Sequence, residues 1–371
     1  MTTREQATNY QHLQTRAEDD VILEIRNASV RFDMDRGSAR VLDDVNMDIY
    51  RDELLGIVGE SGSGKSMFAS AILDAVVEPG ILQGQIIYHR KEGEPIDILQ
   101  LEPDELRRLR WDEISMVFQG AMSSFNPTMT VRGHFEETIR AHGADMGERM
   151  SHVRHLLSEL YLEPERVLDV YPHELSGGMK QRALIALSLV LDPEVLIMDE
   201  PTAALDLLMQ RSILSLLYDL QQTYDLTIVF ITHDLPLVAG IADRLSVMYS
   251  FQFVEVGESE EIIRNAAHPY TRALLKSVPS IDTPLDEMSH IEGESPDPVN
   301  IPAGCSYHPR CPIATSICVE QDPEFFEVDE DHWAACFHWE EAADAVEYSI
   351  SSGELTAEDV TVEPDEEDDS G

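Results

Sequence analysis

A chain of 371 residues that is 43% hydrophobic is long enough for one large domain with an appendage and buries a sizeable core, which excludes a wholly disordered protein. Its 26 Lys and Arg face 71 Asp and Glu, a formal charge of −45, so a general nucleic-acid binder is disfavoured by long-range repulsion. No apolar run approaches the roughly 18 residues of a membrane helix, and the first residues, MTTREQATNYQHLQ, lack the pattern of a signal peptide, so a cytosolic chain is expected.

The charge is uneven. From Ile281 to Gly371 there are 26 acidic residues against one basic residue, Arg310. Lysine is nearly absent throughout, with only Lys65, Lys91, Lys180 and Lys276. An acidic tail alone explains residues 354–371 but not this depletion; adaptation to molar salt, where the Debye length falls to about 3 Å, explains both.

In chain order, residues 1–20 read as a polar, loosely ordered leader. Val21, Leu23 and Ile25 alternate as in a half-buried strand, and Val30 with Phe32 do so again. Leu54–Val58 is a short apolar run ending in a glycine-rich turn, followed by an expected helix over Met67–Val77. Ile114–Phe118, Val195–Met198 and Thr227–Thr232 are further strand candidates, separated by helical patterns such as Val153, Leu156, Leu157 and Leu160. Strands alternating with helices predict an α/β domain with a largely parallel sheet over 21–260. Beyond it Pro and acidic residues rise and all four cysteines appear, giving an expected C-terminal domain over 261–341. Residues 342–371 are expected to be a disordered acidic tail.

The segment Gly59, Glu60, Ser61, Gly62, Ser63, Gly64, Lys65, Ser66 matches G-x-x-x-x-G-K-[ST] between a predicted strand and a predicted helix. Glycines let the loop wrap its N–H groups around phosphate oxygens, the helix N-terminus adds its positive dipole end, and Lys65 reaches the β- and γ-phosphates. Ser66 is the expected Mg²⁺ ligand. Val195–Met198 delivers Asp199 and Glu200 at a strand's C-terminal end, where α/β sheets place ligands. Asp199 fits a direct or indirect Mg²⁺ partner, and Glu200 a base for the attacking water. Ser176, Gly177 and Gly178 open a second helix with an anion-binding N-terminus; one chain has no need for two, so this turn is expected to cover the γ-phosphate of another protomer.

With LSGGMKQR at 175–182, its approach YPHELSGG, the loop GESGSGKS and HPYTRALL at His268–Leu275, the sequence resembles an ABC transporter ATP-binding subunit of the oligopeptide/dipeptide importer group. The resemblance runs from about Val21 to Cys336. It implies a P-loop NTPase of ABC type, with a RecA-like core, an antiparallel β subdomain, a helical subdomain at about 120–180 and a small cysteine-containing C-terminal domain. It implies ATP with Mg²⁺, Gln119 as a ligand to Mg²⁺ and the attacking water, and His233 as a contact to the γ-phosphate. It also implies Asp206 at the dimer seam and Phe32 stacking on adenine, against which core packing of a lone Phe stands as the alternative. The implied partners are two permease subunits, a second and different ATPase, and an extracytoplasmic solute-binding protein, with the chain at the cytoplasmic face of the membrane. The composition adds the expectation of a halophilic archaeon. Three departures from the group's pattern, Gly120-Ala121 after Gln119, Ala203-Ala204-Leu205-Asp206, and Ser250-Phe251-Gln252, predict a reshaped loop, a lost hydroxyl and an altered hairpin turn.

A soluble ABC ATPase of DNA repair is the alternative class, but the 110 residues from Gly64 to Glu174 leave no room for its coiled-coil insertion. Importers of sugars or nickel share the same ATPase pattern. Cys305, Cys311, Cys318 and Cys336 lie within 32 residues, and in a reducing compartment such a set more often binds metal than forms disulfides. The C-x5-C-x6-C-x17-C spacing lacks the paired knuckles of common zinc sites. Pro309 and Pro312 flank Cys311 as in iron–sulfur loops, and the resemblance also implies a [4Fe–4S] cluster, ranked ahead of Zn²⁺, free thiols and disulfides.

Overall fold

The structure is a computed structural model that describes residues 20–120, 124–203, 205–277 and 291–348. The expected leader falls almost wholly outside these residues, as do Ala121 and Ala204. The two alternating runs at the start form one strand, β1 (Val21–Met34), rather than two. Asn27 takes a left-handed φ of 50° and shifts the register, its side chain donating to Asp44 Oδ1 at 2.8 Å. That bulge breaks the period of two and makes one strand read as a pair. With β2 (Gly37–Tyr50), β4 (Ile81–Tyr88) and β5 (Ile96–Asp97), it forms an antiparallel sheet ordered β2-β1-β4-β5.

The main sheet is centred on β3 (Leu54–Val58), β6 (Ile114–Val117), β7 (Val195–Asp199) and β8 (Thr227–Ile231), every residue of which is buried. Burial on both faces is why these strands read as continuous apolar runs, as in parallel sheets generally. The parallel order is β6-β7-β8-β3-β9, where β9 is Arg244–Tyr249. After β3 the chain enters α1 (Lys65–Ile72), shorter than the expected Met67–Val77. Asp74 is left-handed at φ 47°, and Arg110 of α2 (Pro103–Asp112) donates to the Leu73 carbonyl at 3.0 and 2.8 Å and to the Asp74 carbonyl at 2.7 Å. A cap supplied from 37 residues away leaves no local stop signal.

Between β6 and β7 lie α3 (Val131–Ala141), α4 (Met146–Glu159), α5 (Pro164–Leu168) and α6 (Gly177–Ser188). Val153, Leu156 and Leu157 are buried on α4 and Leu160 directly after it, as their spacing predicts. α7 (Leu207–Tyr224) follows β7, and α8 (Leu235–Ala239), capped by Asp234, follows β8.

The expected boundary at 260/261 falls inside α9 (Ser259–Asn265). The C-terminal segment also continues the main sheet: β10 (Gln252–Glu258) pairs antiparallel with β9 and with β12 (His332–Ala334), and β11 (Phe326–Asp329) forms the edge. It further contributes α10 (Pro269–Lys276) and α11 (Ser316–Glu320). The expected tail starts too early at 342, because α12 (Trp339–Ala345) crosses that position with Ala342 buried. Arg272 donates to the Val346 carbonyl at 2.7 Å and stands over the Tyr348 ring, whose hydroxyl donates to the Ile263 carbonyl at 2.9 Å. Residues 349–371 lie outside the described residues.

Candidate active site

β3 ends at Val58 and the helix α1 begins at Lys65, so Gly59–Gly64 is the connecting loop at the N-terminus of α1. Gly64, the helix N-cap, has φ 111°, and a Cβ there would stand 2.9 Å from the Val41 carbonyl oxygen. Lys65 is buried inside this loop and donates from Nζ to the Gly59 carbonyl at 2.8 Å and the Glu60 carbonyl at 2.9 Å. Burial lowers its pKa against the opposing pull of Glu200, Asp199 and Glu60.

Ser66 Oγ donates to Asp199 Oδ1 at 3.0 Å, which puts the first helical turn against the end of β7. Burial raises the Asp199 carboxyl above its usual range, with Glu200 adding to the rise and the Ser66 hydrogen bond and Lys65 opposing it. The chain turns immediately after Asp199: Glu200 is left-handed at φ 47°. Its carboxylate then spans two groups from other strand ends, Oε2 accepting from Gln119 Nε2 at 3.0 Å and Oε1 lying 3.1 Å from His233 Nδ1. Such strain on a non-glycine residue is typical of functional sites. Lys65, Ser66, Asp199, Glu200, Gln119 and His233, predicted from four separate motifs, are thus brought to one end of the sheet.

Other predicted residues stand apart from that cluster in the hydrogen bonds described. Ser176 caps α6, accepting from Met179 N at 3.3 Å, and Asp206 caps α7, accepting from Met209 N at 3.0 Å. Met209 lies against both turns, since a Cβ on Gly178 would meet its Cε at 2.1 Å. Gly177 lies near Leu205, at 3.7 Å from the Cβ position to Cδ2. Phe32 packs with the apolar cluster around α1, its ring 2.7 Å from where a Gly80 Cβ would be, so part of that ring serves core packing.

The hairpin at Ser250-Phe251-Gln252 is a two-residue connection between β9 and β10. Ser250 (φ 47°) and Phe251 (φ 74°) are both left-handed there, a conformation usually filled by Asn or Gly. Phe251 N–H donates to the Ser63 carbonyl at 2.8 Å, and its own carbonyl accepts from Asp43 N at 3.1 Å. The strained turn therefore braces the phosphate loop, which its local sequence did not indicate.

Two further residues were missed. Tyr270, on α10, accepts from the Glu60 N–H at 2.8 Å, and Arg310 pairs with the Glu60 carboxylate at 2.7 and 3.1 Å. The available signal was Arg310 itself, the one base in an acidic segment.

Cys305, Cys311, Cys318 and Cys336 line one small cavity with Pro269, Ile313 and Phe337, and all four thiols are free of disulfides. Burial, then the neighbouring thiols, push Cys336 up to about 12; burial likewise carries Cys305 up to about 11 and raises Cys311. Among the described residues no group of three or more His, Cys, Asp or Glu stands close enough to hold a metal ion.

A parallel sheet with a phosphate loop at one end, an antiparallel sheet beside it and a helical insertion carrying Ser-Gly-Gly define an ABC-type ATPase cassette. Residues 42–203 match the ABC transporter family and residues 254–318 the oligopeptide/dipeptide transporter C-terminal region. The chain is 39% identical over 324 residues to the dipeptide transport ATP-binding protein DppD of Caldanaerobacter subterraneus subsp. tengcongensis, covering 86% of this chain and 98% of that one. It is also 39% identical over 306 residues to the oligopeptide transport ATP-binding protein OppD of Salmonella typhimurium, covering 82% and 90%. A dimeric bacterial ABC transporter cassette, MJ0796, superposes with a TM-score of 0.56 at 27% identity, covering 64% of this chain and 99% of that one. The chain belongs to the ABC transporter ATP-binding subunits of the oligopeptide/dipeptide type.

Proposed function

We propose that this chain hydrolyses ATP to energise import of dipeptides or oligopeptides, as a nucleotide-sandwich dimer with a paired ATPase, docked on two permease subunits at the cytoplasmic face of the membrane and served by an extracytoplasmic binding protein. The observation that carries the chemistry is the Glu200 carboxylate held between Gln119 and His233, beside Lys65 and the Ser66–Asp199 pair. Glu200 accepts the proton of the attacking water, Gln119 and His233 orient it, and Lys65 with the loop N–H groups holds the β- and γ-phosphates; the products are ADP and inorganic phosphate. Ser66, Asp199 and Gln119 offer the oxygen donors that suit Mg²⁺, which when bound neutralises phosphate charge. Phe32 stacks on adenine with its exposed part. Ser176, Gly177, Gly178 and Asp206 act across the seam, where the partner's nucleotide meets them. Action across a dimer seam fits a signature turn that shares no described bond with its own phosphate loop, and we read the pair as two different subunits rather than two copies of this chain. Among the described residues no helix is long and apolar enough to cross a membrane, which suits attachment through permeases.

The test is uptake by proteoliposomes holding the assembled transporter, in molar KCl and in dilute buffer. ATP-driven accumulation of labelled dipeptide, not of nickel or a sugar, is expected. Uptake confined to molar salt is the result expected of a halophilic archaeal protein; equal uptake in dilute buffer removes that reading. Sugar or nickel uptake would reassign the substrate and leave the ATPase in place.

For the four cysteines our reading stays a [4Fe–4S] cluster ahead of Zn²⁺, free thiols and disulfides. Cys305, Cys311, Cys318 and Cys336 line one cavity, and four thiolates are the ligand set such a cluster needs. Anaerobically purified protein is expected to be brown, and Cys311→Ser colourless; a colourless wild type with one zinc per chain would decide for zinc.

A further inference from the structure

The first variable residue of the phosphate loop is fixed on every side. Glu60 gives its N–H to Tyr270 Oη at 2.8 Å, its carbonyl to Lys65 Nζ at 2.9 Å and to Ser63 N at 3.2 Å, and its carboxylate to both ends of the Arg310 guanidinium. Two of these holds come from residues 210 and 250 positions away in sequence. Arg310 is itself fully engaged. Its Nε donates to the Glu292 carbonyl at 2.8 Å, Nη1 also reaches Tyr249 Oη at 3.4 Å, and Nη2 the Ile291 carbonyl at 3.3 Å. Five contacts match the five N–H donors of the fork. The side chain is only 5% exposed, and its guanidinium lies 5.7 Å from the centre of the Tyr249 ring and 5.9 Å from that of Tyr307. Tyr249, Tyr270 and Tyr307 pack on one another, with centroids 4.5 to 5.5 Å apart.

We infer that Arg310 is a positioning residue of the ATP site: through Glu60 it sets the phosphate loop's shape and cancels a carboxylate that otherwise faces the bound triphosphate. The inference rests on reading Gly59–Ser66 as the ATP loop. The segment from Ile281 to Gly371 contains no other base, so nothing on it replaces the lost charge. The C-terminal region is therefore part of the nucleotide site and not an appendage to it. Arg310 does not touch Gln119, Glu200 or His233 in the bonds described, so its effect falls on nucleotide binding and not on the chemical step. Losing one partner of a desolvated bidentate pair leaves the other uncompensated, while losing both is far milder.

The test uses the assembled transporter and reads KM for MgATP and kcat separately. Arg310→Met is expected to raise KM about tenfold, the weight of a charge-assisted hydrogen-bonded pair. It should hold kcat within about twofold, as for loss of uniform binding. Adding Glu60→Gln to Arg310→Met should restore most of the affinity, because the uncancelled charge is gone. A KM equal to wild type in Arg310→Met, or no recovery in the double variant, overturns the inference. If Arg310→Met fails to assemble, Arg310→Lys keeps the charge and loses the fork: an intermediate rise in KM is expected, and no rise overturns the inference. Lys65→Ala separates the underlying reading, since unchanged MgATP binding there would remove the ATP-loop assignment itself.

Discussion

Glu200→Gln should leave MgATP binding intact and reduce turnover of the assembled transporter by about 10²- to 10⁴-fold, the usual weight of a general base. The geometry makes this substitution a clean one. The amide oxygen still accepts from Gln119 Nε2, now 3.0 Å from Oε2, and the amide nitrogen faces His233 Nδ1, now 3.1 Å from Oε1. The left-handed backbone at residue 200 is equally available to Gln, so shape is retained and only basicity is lost. With ATP bound but not cleaved, the nucleotide-closed pair should accumulate and be visible as MgATP retained by the assembled transporter after desalting. Wild-type turnover by Glu200→Gln would remove Glu200 as the base. Loss of ATP binding instead would mean that the carboxylate serves the loop's structure.

The part of this site that could be read from the sequence is the part written on consecutive residues. Gly59–Ser66 and Val195–Glu200 carry their geometry locally: a strand, a turn and the group delivered at its end. Gln119 and His233 are single residues after strands β6 and β8; the resemblance named them, and the carboxylate of Glu200 joins them. What stayed hidden depends on partners far away in the chain. Arg110 ends α1, Phe251 braces Ser63, and Arg310 grips Glu60, and none of these leaves a local period or spacing. The acidic C-terminus misled in the same way. Charge density suggested a tail from 342, yet Ala342, Val346 and Tyr348 fall on one packed side, and Arg272 supplies the buried cation that holds them.

The glycines of the phosphate loop look interchangeable in the motif, but their surroundings differ, and this sets the second large effect. Gly59 follows directly on β3, and a Cβ there would stand 2.1 Å from the Met248 carbonyl oxygen and 3.2 Å from its carbonyl carbon. Those are backbone atoms of β9, which pairs with β3 through Val58↔Val247, so no side chain can swing aside. Its φ of 153° is also one that L-residues rarely adopt. Gly59→Ala must therefore shift the loop or the strand, at a cost of about 3 kcal/mol or more from overlap and strain together. Gly62 has φ 82° but nothing within 4 Å of its Cβ position, so Gly62→Ala carries only the left-handed penalty of about 1 kcal/mol. Thermal unfolding of the two variants without nucleotide should separate them clearly. Gly59→Ala should also lose the stabilisation that MgATP confers, because the carbonyls of Gly59 and Glu60 that seat Lys65 move with the loop. Equal unfolding midpoints for the two variants would show that the contact between Gly59 and Met248 does not shape the loop in solution.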